Sequence, residues 1–307
     1  MSEMCVFIGG LDRSGKTYMR FALTANPDFV ISKRTNLWTR YYKKFGSLAN
    51  DRHLTACLTD LAKNKHILAL QPDFELVRKE FKMGPPTYAR LFEIIHQQAG
   101  RENKKKYWGD QTELIEKYAP DILEAYPFAK FIHMIRDPRD RYEAILTKSS
   151  KPQYLGVATA RWLYSASLAK KNQTKFPGRY LVIRYEDLVS QPEQTIRAVC
   201  EFLGVEYDLA MVKMEHVARF SDHKSEEVQR SGPLSTKYIG RFPQSLNPGQ
   251  IAFIQSFSKA LMNWFGYPLV SIQVPWQEKL KTLLALWPAN LFYMFGWHTL
   301  NLVRRGR

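Results

Sequence analysis

The sequence predicts an α/β protein: a parallel sheet of the P-loop type, layered between helices on both faces, followed by an apolar C-terminal tail. Three observations point there. Short apolar runs alternate along the chain with longer stretches of helical character, the pattern of a parallel sheet covered on both sides. The first run leads straight into GGLDRSGKTY (Gly9–Tyr18), which from Gly10 to Thr17 satisfies the phosphate-cradling spacing G-x-x-x-x-G-K-[ST]. Near the other end, Thr282 to Val303 contains no Asp, Glu, Lys or Arg.

In chain order, Met4–Ile8 reads as a first strand, and Ser14 onward as a helix with apolar positions at Tyr18, Met19, Phe21, Ala22 and Leu23. Further strands are expected at His66–Leu70, Lys106–Gly109, Lys130–Ile135 and Tyr180–Ile183. Pro120, Pro127, Pro138, Pro177 and Pro192 fall near the boundaries, where a residue without an N–H is tolerated. No repeat or linker divides residues 1–270, so that span is read as one domain and 271–307 as the tail. Pro288, Asn290, Gly296, His298 and Asn301 interrupt the tail, Trp287, Tyr293 and Trp297 suit a bilayer interface, and Lys279, Lys281, Arg304, Arg305 and Arg307 flank it. Two readings stay open: peripheral membrane contact through residues 282–303, or packing on the domain or on a second subunit in a homodimer.

Of the 307 residues 45% are hydrophobic, enough to bury a large core, which argues against disorder. Lys and Arg number 45 against 29 for Asp and Glu, a formal charge of +16 that suits an anionic partner. There is no RNA-binding aromatic motif, zinc-finger spacing or basic zipper, so nucleic acid is not the expected partner. Cys5, Cys57 and Cys200 form no CxxC pair, and the histidines show no metal-ligand spacing. The expectation is buried thiols in a reducing compartment. MSEMCVFIGG enters the first strand without a leader-like pattern, so the expected location is cytoplasmic, at the inner face of a membrane if the tail docks.

A loop of backbone N–H groups opening a helix binds any phosphate-like anion, with Lys16 adding a cation and Thr17 a hydroxyl. As a kinase or NTPase site it would hold ATP and magnesium, and a second strand would have to end in a metal-binding Asp. Asp137 is the residue on offer, but Pro138-Arg139-Asp140-Arg141 follows it at once.

The segment AKFIHMIRDPRDRYEAIL (129–146) resembles the 3'-phosphate-binding strand and helix of sulfotransferases that use 3'-phosphoadenosine 5'-phosphosulfate, PAPS, and GLDRSGKT resembles their 5'-phosphosulfate loop. The resemblance runs over most of residues 4–267. It takes in TANPDF (24–29), YWGDQTEL (107–114), YLVIRYEDLVSQPEQTIRAVCEFLGV (180–205), GPLSTKYIGRFPQSLNPGQ (232–250) and FGYP (265–268). It implies PAPS as sulfuryl donor, its 3'-phosphoadenosine 5'-phosphate (PAP) as product, and no metal requirement.

It also implies a division of labour. Arg13, Ser14, Gly15, Lys16, Thr17 and Tyr18 would cradle the phosphosulfate, Arg136 would take the 3'-phosphate with help from Arg141, and Tyr238, Ile239, Gly240 and Arg241 would fold over the nucleotide. Arg13 and Lys16 would stabilise charge at the leaving oxygen. Two departures matter: Ala144 stands where the family usually has a serine, with Thr147 or Arg141 as substitutes, and Ser32–Asn36 carries no carboxylate where some relatives place their base. Glu113 is therefore the first candidate for the acceptor base and Asp110 the second, either also readable as a helix-capping carboxylate. Tyr185-Glu186-Asp187 reads as a structural strand end, His133 as a core histidine, and Trp38, Tyr41 and Tyr42 as a helix core stripe before an acceptor pocket. The acceptor is expected to be a hydroxyl or amine on a small molecule, carbohydrate or glycolipid. A kinase, or an inactive nucleotide-binding protein, are the rivals.

Overall fold

The computed structural model describes residues 4–102, 105–148, 154–213, 234–273 and 282–303. Gly232 and Pro233, His216 and His223, and the cations flanking the tail lie outside the described residues. Five strands form one sheet: β1 (Cys5–Gly10), β2 (Phe29–Lys33), β3 (Tyr107–Gln111), β4 (Lys130–Ile135) and β5 (Tyr180–Arg184). Their order is β2-β3-β1-β4-β5, every neighbouring pair is parallel, and β1 lies in the centre.

Alternation along each strand divides the core into two layers. From one face, Cys5, Phe7, Trp108, Phe131 and Tyr180 pack against α2 (Asp51–Leu61), α3 (Lys65–Leu68), α4 (Phe74–Lys82), α5 (Tyr88–Glu102) and α6 (Ala119–Ala125). From the other, Val6, Ile8, Ile31, Ile132, Met134 and Ile183 meet α1 (Lys16–Ala25), α9 (Tyr185–Ser190), α10 (Pro192–Leu203) and α11 (Ala210–Lys213). Beyond β4, α7 (Pro138–Lys148), α8 (Leu155–Lys175), α12 (Phe242–Ser245) and α13 (Pro248–Trp264) form a third apolar group, onto which the tail helix α14 (Trp287–Val303) folds. Pro138, Pro192 and Pro248 each open a helix, as their missing N–H permits.

Two sequence expectations change. His66–Leu70 is no strand: Asn64 caps a helical turn by accepting the His66 N–H at 2.9 Å, and Ile67 alone is buried. A short apolar run does not by itself distinguish strand from helix. Conversely β2, FVISK, was not expected; it is an edge strand whose register on β3 pairs Phe29 with Tyr107 and Lys33 with Gln111. Trp38 and Tyr41 are buried in the core, and the three cysteines are buried and free.

Because all strands run the same way, the segments after β1, β3, β4 and β5 emerge at one edge. The connection from β1 runs toward β2 while that from β4 runs toward β5, so a crevice opens between their carboxyl ends, where ligands of open α/β sheets bind.

Candidate active site

The β1–α1 loop occupies that crevice. Gly15 caps α1 with φ 93°, a left-handed geometry, and a Cβ there would sit 2.8 Å from the Tyr185 ring. Arg13, also at positive φ (64°), is exposed. The Ser14 hydroxyl donates to the Leu11 carbonyl at 2.6 Å, which tightens the turn. Lys16 is almost wholly buried and donates to the Gly10 carbonyl at 2.6 Å. Burial pushes its pKa down to about 8 against the pull of Glu113, Glu116 and Asp12.

Side chains from three other segments hold this loop from outside. Glu116 accepts the Gly10 N–H at 3.0 Å and Glu113 the Asp12 N–H at 3.2 Å. Arg141 donates to the Asp12 carbonyl at 3.0 Å and pairs with the Asp12 carboxylate. Although burial works to raise it, that cation brings the Asp12 pKa down to about 2.

The three arginines of RDPRDR have different fates. Arg139, 1% exposed, closes on Asp137 at 2.6 Å and reaches Gln255 and the Pro268 carbonyl. Arg141, also 1% exposed, is spent on Asp12 and on the Ala158 carbonyl. It meets the loop at Asp12. Arg136 stands at the crevice, donating to the Arg13 carbonyl at 3.2 Å and to the Tyr238 carbonyl at 2.7 Å, its guanidinium over the Tyr185 ring at 4.5 Å. Its buried Nε has no hydrogen-bond partner among the described residues.

The segment 236–241 lies against Arg136 and the start of α7. Asp140 accepts the Gly240 N–H at 2.6 Å and the Phe242 N–H at 2.9 Å, and Arg241 approaches Glu143 at 3.6 Å. Ile239 and Tyr238 are thereby held beside Arg136 and close to Tyr18. Ala144 is buried, and the Thr147 hydroxyl bonds back to the Glu143 carbonyl at 3.0 Å, directed into its own helix.

The two candidate bases are unequal. Asp110 is fully buried, accepting from Thr35 at 2.6 Å, Thr112 at 3.0 Å and Ser32 at 3.3 Å. Burial raises its pKa to about 6, a value suited to a base, but its oxygens are engaged by three hydroxyls and have no solvent exposure. Glu113 is partly exposed beside the loop and paired with Arg161 of α8, a residue the sequence reading did not single out. A basic residue at one position of a long helix carries no motif. His133 is a satisfied core histidine between Tyr180 at 2.7 Å and Ser165 at 3.1 Å, and Glu186 accepts the Asp137 N–H and the Tyr267 hydroxyl. Among the described residues no cluster of His, Cys, Asp or Glu could hold a metal ion.

Known proteins resemble this chain in sequence and fold. A protein-tyrosine sulfotransferase of Drosophila melanogaster is 24% identical over 260 residues, covering 78% of this chain and 47% of its own length. The omega-hydroxy-beta-dihydromenaquinone-9 sulfotransferase Stf3 of Mycobacterium bovis is 28% identical over 124 residues, 35% of this chain and 32% of that protein. Among solved structures, the sulfotransferase domain of the Synechococcus PCC 7002 olefin synthase superposes with a TM-score of 0.62 at 22% identity, covering 87% of this chain and 96% of that one, which bears on the fold. The model of the sulfotransferase family matches residues 5–209, the span that carries all five strands and every residue holding the loop except the 236–241 segment, and the chain belongs to that family.

Proposed function

We propose that this enzyme moves a sulfuryl group from PAPS to a hydroxyl or amine of its acceptor. The observation that carries the reading is the placement of Arg136 against the loop: its Nη1 touches the Arg13 carbonyl, so a second cationic site adjoins the first anion cradle. PAPS has two separate anionic groups, the 5'-phosphosulfate and the 3'-phosphate, and its chemistry matches two such sites. The unpartnered Arg136 Nε and the adjoining segment 238–241 support that fit. A triphosphate has no group for Arg136, and the Asp137 carboxylate that a metal-assisted kinase would use is closed by Arg139.

In the reaction, the acceptor oxygen or nitrogen bonds to sulfur in line with the bridging S–O bond. That bond breaks with its electron pair on the phosphate oxygen, PAP leaves, and the acceptor proton passes to Glu113. On this reading Lys16 and Arg13 offset charge gathering on the leaving oxygen, a kind of stabilisation that contributes on the order of 3 kcal/mol in other oxyanion sites. Glu113 is preferred to Asp110 because it reaches solvent beside the loop. The acceptor reading is a carbohydrate or glycolipid at a membrane surface; the names of relatives, protein-tyrosine and menaquinone sulfotransferases among them, span different acceptors and keep that choice a matter for assay.

The test is calorimetric titration with PAP, ADP and ATP in EDTA. Metal-free binding of PAP well above ADP, lost in Arg136→Ala, is expected; a preference for ATP that appears only with magnesium would return the loop to the kinases.

A further inference from the structure

The apolar tail was expected either to contact a membrane or to pack on the domain. The structure divides these between two faces of one helix. Inward, α14 is fastened to the start of α8: the Gly156 N–H donates to Asn290 Oδ1 at 2.8 Å, and a Cβ on Gly156 would lie 2.0 Å from the Asn290 carbonyl oxygen. Tyr293 stacks on Tyr154 with centroids 3.9 Å apart, Trp297 meets Tyr164, and Trp287 meets Phe253 and Phe257. The aromatic residues that the sequence suggested for a bilayer interface are thus the ones holding the helix to the fold.

Outward, Phe292 (74% exposed) and Phe295 (68%) stand on one side with Pro288 and Thr299; Leu284 (71%) precedes them, and Leu300 (61%) is exposed off that face. Positions 288, 292, 295 and 299 follow the spacing of a single helical face. Soluble surfaces rarely carry so many large apolar side chains on one element, and here no charged side chain interrupts the stretch from Thr282 to Val303. No described helix is long and apolar enough to cross a membrane, so this face is suited to lying along a surface.

We infer that the outer face of α14 docks the enzyme on an anionic lipid bilayer. Charge complementarity selects that occupant. In the sequence, Lys279 and Lys281 precede the apolar face and Arg304, Arg305 and Arg307 follow it, on a chain of formal charge +16. Basic residues flanking an apolar stretch in the sequence suit anionic headgroups, as the apolar face suits acyl chains. A second copy of this chain would bring a like formal charge of +16.

The docking also has a direction. Two residues beyond Gly156, the Ala158 carbonyl accepts from Arg141, which grips Asp12 of the anion loop. The start of α14 is therefore two contacts from the transfer site. Resting on the reading of that site as a sulfotransferase centre, the docked helix keeps the crevice near the headgroup layer, where a lipid-borne acceptor hydroxyl would be found.

The experiment is co-sedimentation of the full chain with phosphatidylcholine vesicles, with and without about one third phosphatidylglycerol, alongside the Phe292→Glu/Phe295→Glu variant. Wild type is expected to pellet with the anionic vesicles alone, and the variant to bind them roughly tenfold or more weakly. The milder Phe292→Ser/Phe295→Ser variant should fall between, and serves if the glutamates prevent folding. PAP titration of each variant checks the fold: unchanged PAP binding with lost vesicle binding supports the docking face. Equal pelleting of wild type and variants, or of wild type with both vesicle types, overturns it, as does a wild-type dimer on sedimentation analysis that the variant dissolves. If wild type binds vesicles but not PAP, the sulfotransferase reading fails and the docking face stands.

Discussion

At the level of single residues, burial separates side chains that the sequence presents as equals. Arg136→Ala should weaken PAP binding by roughly 30-fold or more, about 2 kcal/mol upward, the usual cost of removing one partner of a charge-assisted phosphate contact. Arg139→Ala should instead lower the melting temperature, since a buried Asp137 left without its cation costs about 3–5 kcal/mol. Lys16 gives a pH signature. Its pKa in the free protein is held down to about 8, so above that pH the lysine is neutral and nucleotide binding must restore its proton. PAP affinity should be flat below pH 8 and fall above it, by up to roughly one log unit per pH unit, in titrations across that range. Arg161→Ala and Glu113→Gln should each reduce turnover while Asp110→Asn lowers thermal stability; Arg161→Ala leaving turnover unchanged would detach Glu113 from the chemistry. The loop lysine, Arg136 and Glu113 could be singled out in the sequence because each sits in a motif. Arg161 could not, and neither could the burial of Arg141, because a linear motif states which charges are near each other in sequence and not which of them a neighbouring carboxylate has already engaged.

At the level of elements, the legible strands were β1, β3, β4 and β5, each announced by a short apolar run, and β1, β3 and β4 are almost wholly buried while β5 is an edge strand with alternating burial. The edge strand β2 is too short and too mixed to announce itself, and the turn at Lys65–Leu68 imitates a strand because one Asn cap, three residues from Ile67, decides its conformation. Helix α8 is the element the sequence undersold. It places Arg161 on Glu113, Trp162 on the Arg136 carbonyl, Ser165 beside Glu116 and Gly156 under the tail. Gly156→Ala puts a methyl into the Asn290 backbone and should free α14 from its seat. Limited proteolysis is expected to cut near the tail several times faster than in wild type, with an overpacking cost of about 1–3 kcal/mol read as a lower melting temperature.

At the level of the whole molecule, the fold was the most legible feature, since alternation of strands and helices with a phosphate-type loop after the first strand leaves few topologies. The strand order was not legible, because it is set by pairings between segments far apart in sequence. That order has a consequence for how the chain comes to be folded. β1 is the first of the five strands to be synthesised, yet its two partners are β3 and β4, at Tyr107–Gln111 and Lys130–Ile135. Until β4 has left the ribosome, β1 keeps at least one open edge, and the anion loop attached to it lacks Arg136 and Arg141. Such non-local parallel pairing folds slowly and exposes aggregation-prone edges on the way. Low growth temperature and chaperone supply should therefore govern soluble yield more than the stability of the finished enzyme does.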